Sequence, residues 1–259
     1  MKFLAVLLVL LAVCAVEAQT PQQLEKKIIG HLKTMSQTGT YSGSYDDKKV
    51  YEANNALIAA LKKGGTSLAT LKYAFPALKK EMYIATSKDG RFRIYSWDME
   101  TGGTMHDFAS VFQYQGASGK VYAWTDAEDE DESAGSFYSQ IFQVQGPKGA
   151  IYLANGNFIG SSSYNGQSLQ AFVVDGERLE TKPKVIRTSE GTTNSVSFGY
   201  DFFSVVDRPE RPVKLFTFDA VKKQFSFPIV IEDDKTPQGR VTSKLITYRF
   251  NGSVFVKIS

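Results

Sequence analysis

The chain has 259 residues, a formal charge of +3 and one cysteine. The positive excess is small and dispersed, which argues against a nucleic-acid partner, since that would call for a clustered basic face. The length supports a large core, because domains approaching this size bury roughly 70 to 75% of the surface their unfolded chain exposes.

The chain opens with "MKFLAVLLVLLAVCAVEAQT". Lys2, an apolar run from Phe3 to Val16 and then small residues form the three-part layout of a secretory signal peptide over residues 1–18. The run is shorter than the roughly 20 residues that cross a bilayer, so no transmembrane segment is expected in the mature chain. Val16 and Ala18 suit cleavage before Gln19. A second reading makes Leu11 to Cys14 a lipoprotein signal that leaves Cys14 as a lipid anchor, but Val13 is bulkier than the residue such a signal prefers. The expected compartment is periplasmic or extracellular. With the leader removed no thiol remains, which excludes cysteine nucleophiles, zinc–thiolate sites and disulfides.

Residues 19–80 read as a helical region. Thr20 caps a helix with Pro21 first and Gln23 completing a capping box, and Leu24, Ile28, Leu32 and Met35 share a face. After "QTGTYSGSY" a second helix starts at Asp46 or Asp47, turns Val50, Leu57, Ile58 and Leu61 inward, and stops at "KKGG" with a left-handed glycine cap. Pro76 interrupts the helical spacing of Leu68, Leu71, Phe75 and Leu78.

From residue 81 to 259 the period is two. "RFRIYSW" sets Phe92 and Ile94 against Tyr95 and Trp97, and "FSFPIVI" aligns Phe225, Phe227, Ile229 and Ile231. Asp89-Gly90, Asp175-Gly176 and Asn251-Gly252 mark tight hairpin turns. Two segments, "VFQYQGASGKVYAW" (111–124) and "IFQVQGPKGAIYLA" (141–154), align without gaps as strand, glycine-bounded turn and strand. Their offset is shorter than the roughly 40 to 50 residues of a propeller blade. About a dozen strands are too many for one open sheet. The fold class is therefore mainly β: an antiparallel hairpin meander forming a sandwich, barrel or small propeller, preceded by two or three short helices.

Chemistry concentrates in "YSWDMETGGTMHD" (95–107). Asp98, His106 and Asp107 are donors suited to a divalent ion. The competing reading is a hairpin turn in which Gly102 and Gly103 supply unusual φ angles and His106 begins a core-facing row with Phe108, Ser110, Phe112 and Tyr114, hydrogen-bonded at its edge. His31 lies on the first helix without an acidic pattern. "GSSSYNG" (160–166) misses a nucleophile elbow because Tyr164 replaces its second glycine. No P-loop or dinucleotide fingerprint appears, so no cofactor and no catalytic residue are expected. The acidic run "TDAEDEDES" (125–133) fails the EF-hand pattern at Ala134 and Gln140.

In "DRPERP" (207–212), which follows the apolar strand "SFGYDFFSVV", the charges pair locally, or Arg208 and Arg211 present guanidinium forks to an anion. Tyr95, Trp97, Tyr122 and Trp124 alternate along neighbouring segments, with Tyr152 in a comparable place. Such rows pack a core or a covering helix; exposed, Trp97 and Trp124 would form a platform for a glycan or a peptide.

"RFRIYSWDMETGGTMH", "DFFSVVDRPERPVKL" and "VTSKLITYRFNGSVF" resemble segments of uncharacterised exported bacterial proteins, over much of the chain from about Met82 onward. The resemblance implies an exported β-rich protein and no particular activity. The expectation is a non-catalytic binding or interaction module of the cell envelope, with an envelope protein or glycan as partner. The alternative is a metal-assisted hydrolase built on the 98–107 turn.

Overall fold

The computed structural model describes residues 19–126 and 135–259. The expected leader with Cys14, and all but the first two residues of the acidic run 125–133, lie outside them. Helix α1 (Pro21–Thr38) starts as its sequence dictates: the Thr20 hydroxyl accepts from the Gln23 N–H at 3.2 Å, and the Thr20 N–H donates to Gln23 Oε1 at 2.8 Å. Asp46 caps helix α2 (Asp47–Gly64). At its C-terminus Gly65 is right-handed, with φ −67°, where a left-handed cap was expected. A Cβ there would lie 2.5 Å from the Leu61 carbonyl oxygen and 2.9 Å from Ala123 Cβ, so close approach to the sheet demands this glycine. Helix α3 (Leu68–Lys72) is short, Phe75 takes φ 50° before Pro76, and a 3-10 turn (Leu78–Lys80) leads into the strands.

Fifteen strands follow among the described residues: β1 (Tyr83–Thr86), β2 (Phe92–Asp98), β3 (Phe108–Gln115), β4 (Val121–Thr125), β5 (Phe137–Gly146), β6 (Gly149–Ile159), β7 (Tyr164–Asp175), β8 (Arg178–Glu180), β9 (Ile186–Thr188), β10 (Gly191–Thr193), β11 (Ser195–Asp201), β12 (Thr217–Asp219), β13 (Gln224–Asp233), β14 (Thr236–Phe250) and β15 (Phe255–Lys257). They form three sheets with orders β1-β2-β3-β4, β11-β7-β6-β5 with β8 added on β7, and β10-β9-β15-β14-β13-β12. Neighbours are antiparallel except β15 and β9, which run parallel, so β15 is the link that joins β9 and β10 to the rest of the third sheet.

The sheets stack, and each contact is written in the two-residue alternation of its strands. Tyr95, Trp97, Ala109 and Val111 on one face of the first sheet bury against Leu24, Ile28, Leu57 and Leu61 of α1 and α2. The opposite face, with Phe92, Ile94, Phe112 and Tyr114, meets Tyr152, Ala154 and Phe172 of the second sheet. That sheet turns Leu153, Leu169 and Ala171 to Phe225, Phe227, Phe250 and Phe255 of the third. The order of layers is helices, sheet, sheet, sheet, which is a sandwich extended by one layer and no closed barrel. Each large side chain so buried contributes roughly 1.5–3 kcal/mol. Being covered on both sides explains why the first six residues of β2 are all buried.

The two aligned segments are β3–β4 and β5–β6, consecutive hairpins placed in adjoining sheets. Asp89-Gly90, Asp175-Gly176 and Asn251-Gly252 turn between strands, their glycines at φ 69°, 60° and 105°. Two expectations need correction. The period of "FSFPIVI" breaks after Phe227: the register against β14 shifts between Pro228 and Val230, so Val230 packs inward and Ile231 is exposed. "SFGYDFFSVV" is not one strand. Asp201 accepts from the Phe203 N–H at 2.8 Å and caps a 3-10 turn, Phe202–Val205.

Candidate functional site

The 99–107 loop joins β2 to β3, with Asp98 paired opposite Phe108. Its left-handed residue is Glu100, φ 59°, and neither of the glycines expected there. Gly102 is required for another reason, because a Cβ would collide with the Met105 carbonyl oxygen. The loop is fastened to the segment between α1 and α2. The Thr40 hydroxyl donates to the Gly102 carbonyl at 2.5 Å, and the Tyr41 hydroxyl donates to the Gly103 carbonyl at 2.8 Å. On its other side the His106 N–H donates to the Ile159 carbonyl at the end of β6, at 3.1 Å.

His106 stands at the edge of the core row, as its strand position suggested, with Phe108, Ser110, Phe112 and Tyr114 buried beyond it. Its Nδ1 lies 2.5 Å from Asp98 Oδ2, and its ring stacks on Tyr41 with centroids 5.0 Å apart. This fixes the ring and leaves Nε2 without a hydrogen bond among the described residues, the geometry of an oriented base. Asp107 is engaged elsewhere, accepting from the Thr101 hydroxyl at 2.9 Å. Among the described residues no group of three His, Cys, Asp or Glu side chains is placed to hold a metal ion. The donors named from sequence are thus a pair, Asp98 and His106, with Asp107 beside it. Burial pushes the Glu100 carboxyl up, the Asp98 carboxylate adds to this, and His106 opposes it. Burial and the same two carboxylates push up the Tyr41 phenol.

A chain of rings leads from this pair into a cleft. His106 stacks on Phe108 at 6.1 Å, Phe108 meets Phe137 at 5.0 Å, and Phe137 stacks on Tyr83 at 4.0 Å. Phe137 and Tyr83, with Phe158, Tyr200 and Phe202, form the aromatic walls of a cleft of about 260 Å³. Asn157, Asn165 and Arg211 supply its polar side chains besides the two tyrosine hydroxyls. The wall carrying Arg211 is held in place by Gln167 on β7. Its Nε2 donates to the Val213 carbonyl at 2.5 Å, and its Oε1 accepts from the Leu215 N–H at 3.1 Å. Gly166 lets the Phe158 ring lie flat on the sheet, since a Cβ would collide with that ring.

Arg211 is exposed, and its guanidinium carbon lies 5.4 Å from the centre of the Phe202 ring. Nη1 donates to the carbonyls of Arg208 and Glu210 at 2.6 and 2.8 Å, and Nη2 donates to that of Val206 at 2.9 Å. Of its five N–H donors, Nε–H and one Nη2 proton have no partner among the described residues. Among the described residues no carboxylate lines the cleft. Burial pushes the Tyr200 phenol up, while Gln167, Arg211 and Arg208 oppose the shift.

The other expected ligand contacts fall elsewhere. Arg208 pairs with Glu210 at 3.1 Å, the local pairing read from "DRPERP". Trp97 exposes 1% of its surface under α1 and α2 and donates its indole N–H to Asn54 Oδ1 at 2.8 Å. Trp124 is half-buried against Phe112 at 5.0 Å. Neither makes a platform, because the helices and the second sheet cover the faces on which they lie. Sequence reasoning missed Asn165, Tyr200 and Phe202; only the register of β7 on β11, which pairs Asn165 with Tyr200, brings them together. His31 is half-buried in α1, and burial, then Lys27, hold its pKa below the usual histidine range. "GSSSYNG" is the β6–β7 turn, where Ser161 accepts from the N–H groups of Ser163 and Tyr164. No family model, curated protein or solved structure matches the chain.

Proposed function

We propose that the protein is an exported binding module whose recognition site is the aromatic cleft bordered by Arg211, and that its ligand is a small organic anion with an apolar body. The observation that carries this reading is an arginine that, among the described residues, keeps two N–H donors free at an aromatic cleft lined by no carboxylate. Planar guanidinium donors suit carboxylates, and an apolar pocket with few polar groups is the usual form of a ligand site. Export rests on the leader-like composition of residues 1–18. Among the described residues no helix is long and apolar enough to cross a membrane.

The hydrolase reading retains one support, the orientation of His106 by Asp98. Against it stand the missing third donor and the absence of any hydroxyl hydrogen-bonded to the histidine ring among the described residues.

Calorimetric titration with phenylpropanoate and with its neutral amide tests the binding reading. The acid binds and the amide binds at least about tenfold more weakly, the worth of one charge-assisted pair, and Arg211→Ala removes the difference. Absence of heat and of thermal stabilisation with the acid at millimolar concentration sinks the proposal.

A further inference from the structure

The cleft has a polar group away from its Arg211 rim. Asn157 of β6 lines it and exposes 5% of its surface. Its Nδ2 donates to the Phe137 carbonyl at 3.3 Å, to the Ser139 hydroxyl at 3.1 Å and to the Asn155 carbonyl at 3.4 Å. Two carbonyls on that side fix which way the amide is turned, since Oδ1 could not face them. Among the described residues Oδ1 itself accepts no hydrogen bond. The unpaired side-chain atoms sealed from solvent there are His31 Nε2, Asn165 Oδ1 and Gln238 Oε1. Asn157 Oδ1 is not one of them, so it keeps accessible surface, and the space that Asn157 borders is the cleft.

The two polar groups differ in depth. Arg211 is exposed and marks the rim, whereas Asn157 is nine-tenths buried and marks the inner end. Between them stand the rings of Phe137, Phe158 and Phe202. A ligand that satisfies both groups carries its negative charge at one end and a hydrogen-bond donor at the other, with a flat apolar body between. A phenol joined to a carboxylate has this layout: its ring packs against aromatic walls, and its hydroxyl, with a pKa near 10, remains a donor at neutral pH.

We infer that the cleft binds a hydroxyaryl carboxylate, with its carboxylate on the free donors of Arg211 at the rim, its ring among Phe137, Phe158 and Phe202, and its phenol O–H on Asn157 Oδ1. The inference rests on the reading of the cleft as an anion site and adds the inner hydroxyl. Both a free phenolic acid and a peptide ending in tyrosine carry this chemistry.

The test compares phenylpropanoate with its 4-hydroxy, 4-methoxy and 2-hydroxy derivatives by calorimetric titration of the protein. The 4-hydroxy acid binds about three- to tenfold more tightly than phenylpropanoate, as one buried hydrogen bond permits. The 4-methoxy acid, which has no O–H, and the 2-hydroxy acid, whose O–H lies beside the chain bearing the carboxylate, gain nothing. Equal binding of the 4-hydroxy acid and phenylpropanoate, or an equal gain with the methoxy acid, overturns the hydroxyl assignment and leaves the anion site standing. Failure of all four acids removes the anion site itself. In Asn157→Ala the advantage of the 4-hydroxy acid disappears while phenylpropanoate still binds; an advantage that survives in the folded variant overturns the assignment. That variant also gives up the bonds donated by Nδ2 and melts lower, and if it does not fold, the four acids on the parent protein decide. A blocked tripeptide ending in tyrosine separates the sources: binding tighter than that of the 4-hydroxy acid assigns a peptide terminus, and equal or weaker binding assigns the free acid.

Discussion

Arg93 and Arg211 each lack a carboxylate partner among the described residues, and they stand in opposite conditions. Arg93 exposes 4% of its surface beneath the helices. It donates to the Thr86 hydroxyl, to the carbonyls of Thr70 and Tyr73 and to the Tyr95 hydroxyl, with the rings of Phe75 and Tyr95 5.6 and 5.8 Å from its guanidinium carbon. Its neighbours are satisfied as well. Gln113 donates to the Gly65 carbonyl and accepts from Tyr95, and Glu25 receives the N–H groups of Ala77 and Leu78 and the Tyr73 hydroxyl. Such a network specifies how α3 and the segment after it dock on the first sheet. Around Arg211 the account is left open, with two free donors and an orphaned acceptor at Asn165. Saturated polar groups of the kind around Arg93 hold a fold together.

The sharpest challenge to this contrast is to remove each arginine. Arg93→Met leaves the Tyr73 carbonyl without a donor and removes the bonds to Thr86, Thr70 and Tyr95, and should lower stability by about 3 kcal/mol in urea titration, whereas Arg211→Ala should stay within about 0.5 kcal/mol. Equal losses would make Arg211 a structural residue and dissolve the comparison. Gly166→Ala sets a Cβ against the Phe158 ring and 2.9 Å from the Phe198 carbonyl oxygen, and a forced displacement of this kind costs about 1–3 kcal/mol. It should also weaken phenylpropanoate binding, since the displaced ring is a wall of the cleft.

Glu25→Gln keeps the shape and gives up the charge-assisted bonds to Ala77 and Leu78, for a loss of about 1 kcal/mol. The smallest effect is at Glu100. Its folded pKa is raised by burial and by Asp98, so the native state binds more protons than the unfolded state across that window, and stability falls as pH rises through it. Glu100→Gln should match the parent near about pH 4 and exceed it near about pH 7. Parallel pH profiles for the two proteins would remove Glu100 from the account.

Local signals proved legible where local chemistry decides. The Thr20 capping box, the three hairpin turns, the repeated hairpin and the opposite faces of β2 all followed from neighbouring residues. What escaped was set by the third dimension. Gly65 and Gly102 are glycines because other backbone approaches them, which no turn pattern encodes. The inward face of β13 changed at a register shift against β14. Of the expected ligand residues only Arg211 borders the cleft, and Trp97 was misleading because an aromatic alternation looks alike whether water or a helix covers it. Asn165 and Tyr200 are 35 positions apart in the chain and become neighbours through one strand pairing.

The parallel seat of β15 governs the order in which the chain can fold. Parallel pairing joins positions distant in sequence and closes slowly, and here Ile186 must wait for Phe255. The helical layer and the first two sheets hold strands drawn from residues 83–201 and can assemble from the earlier chain, while β9 and β10 join the third sheet only when β15 is in place. Early folding intermediates should therefore expose the outer face of the second sheet, with Leu153, Leu169 and Ala171 open to water, and a chaperone that shields apolar surface would find its target there.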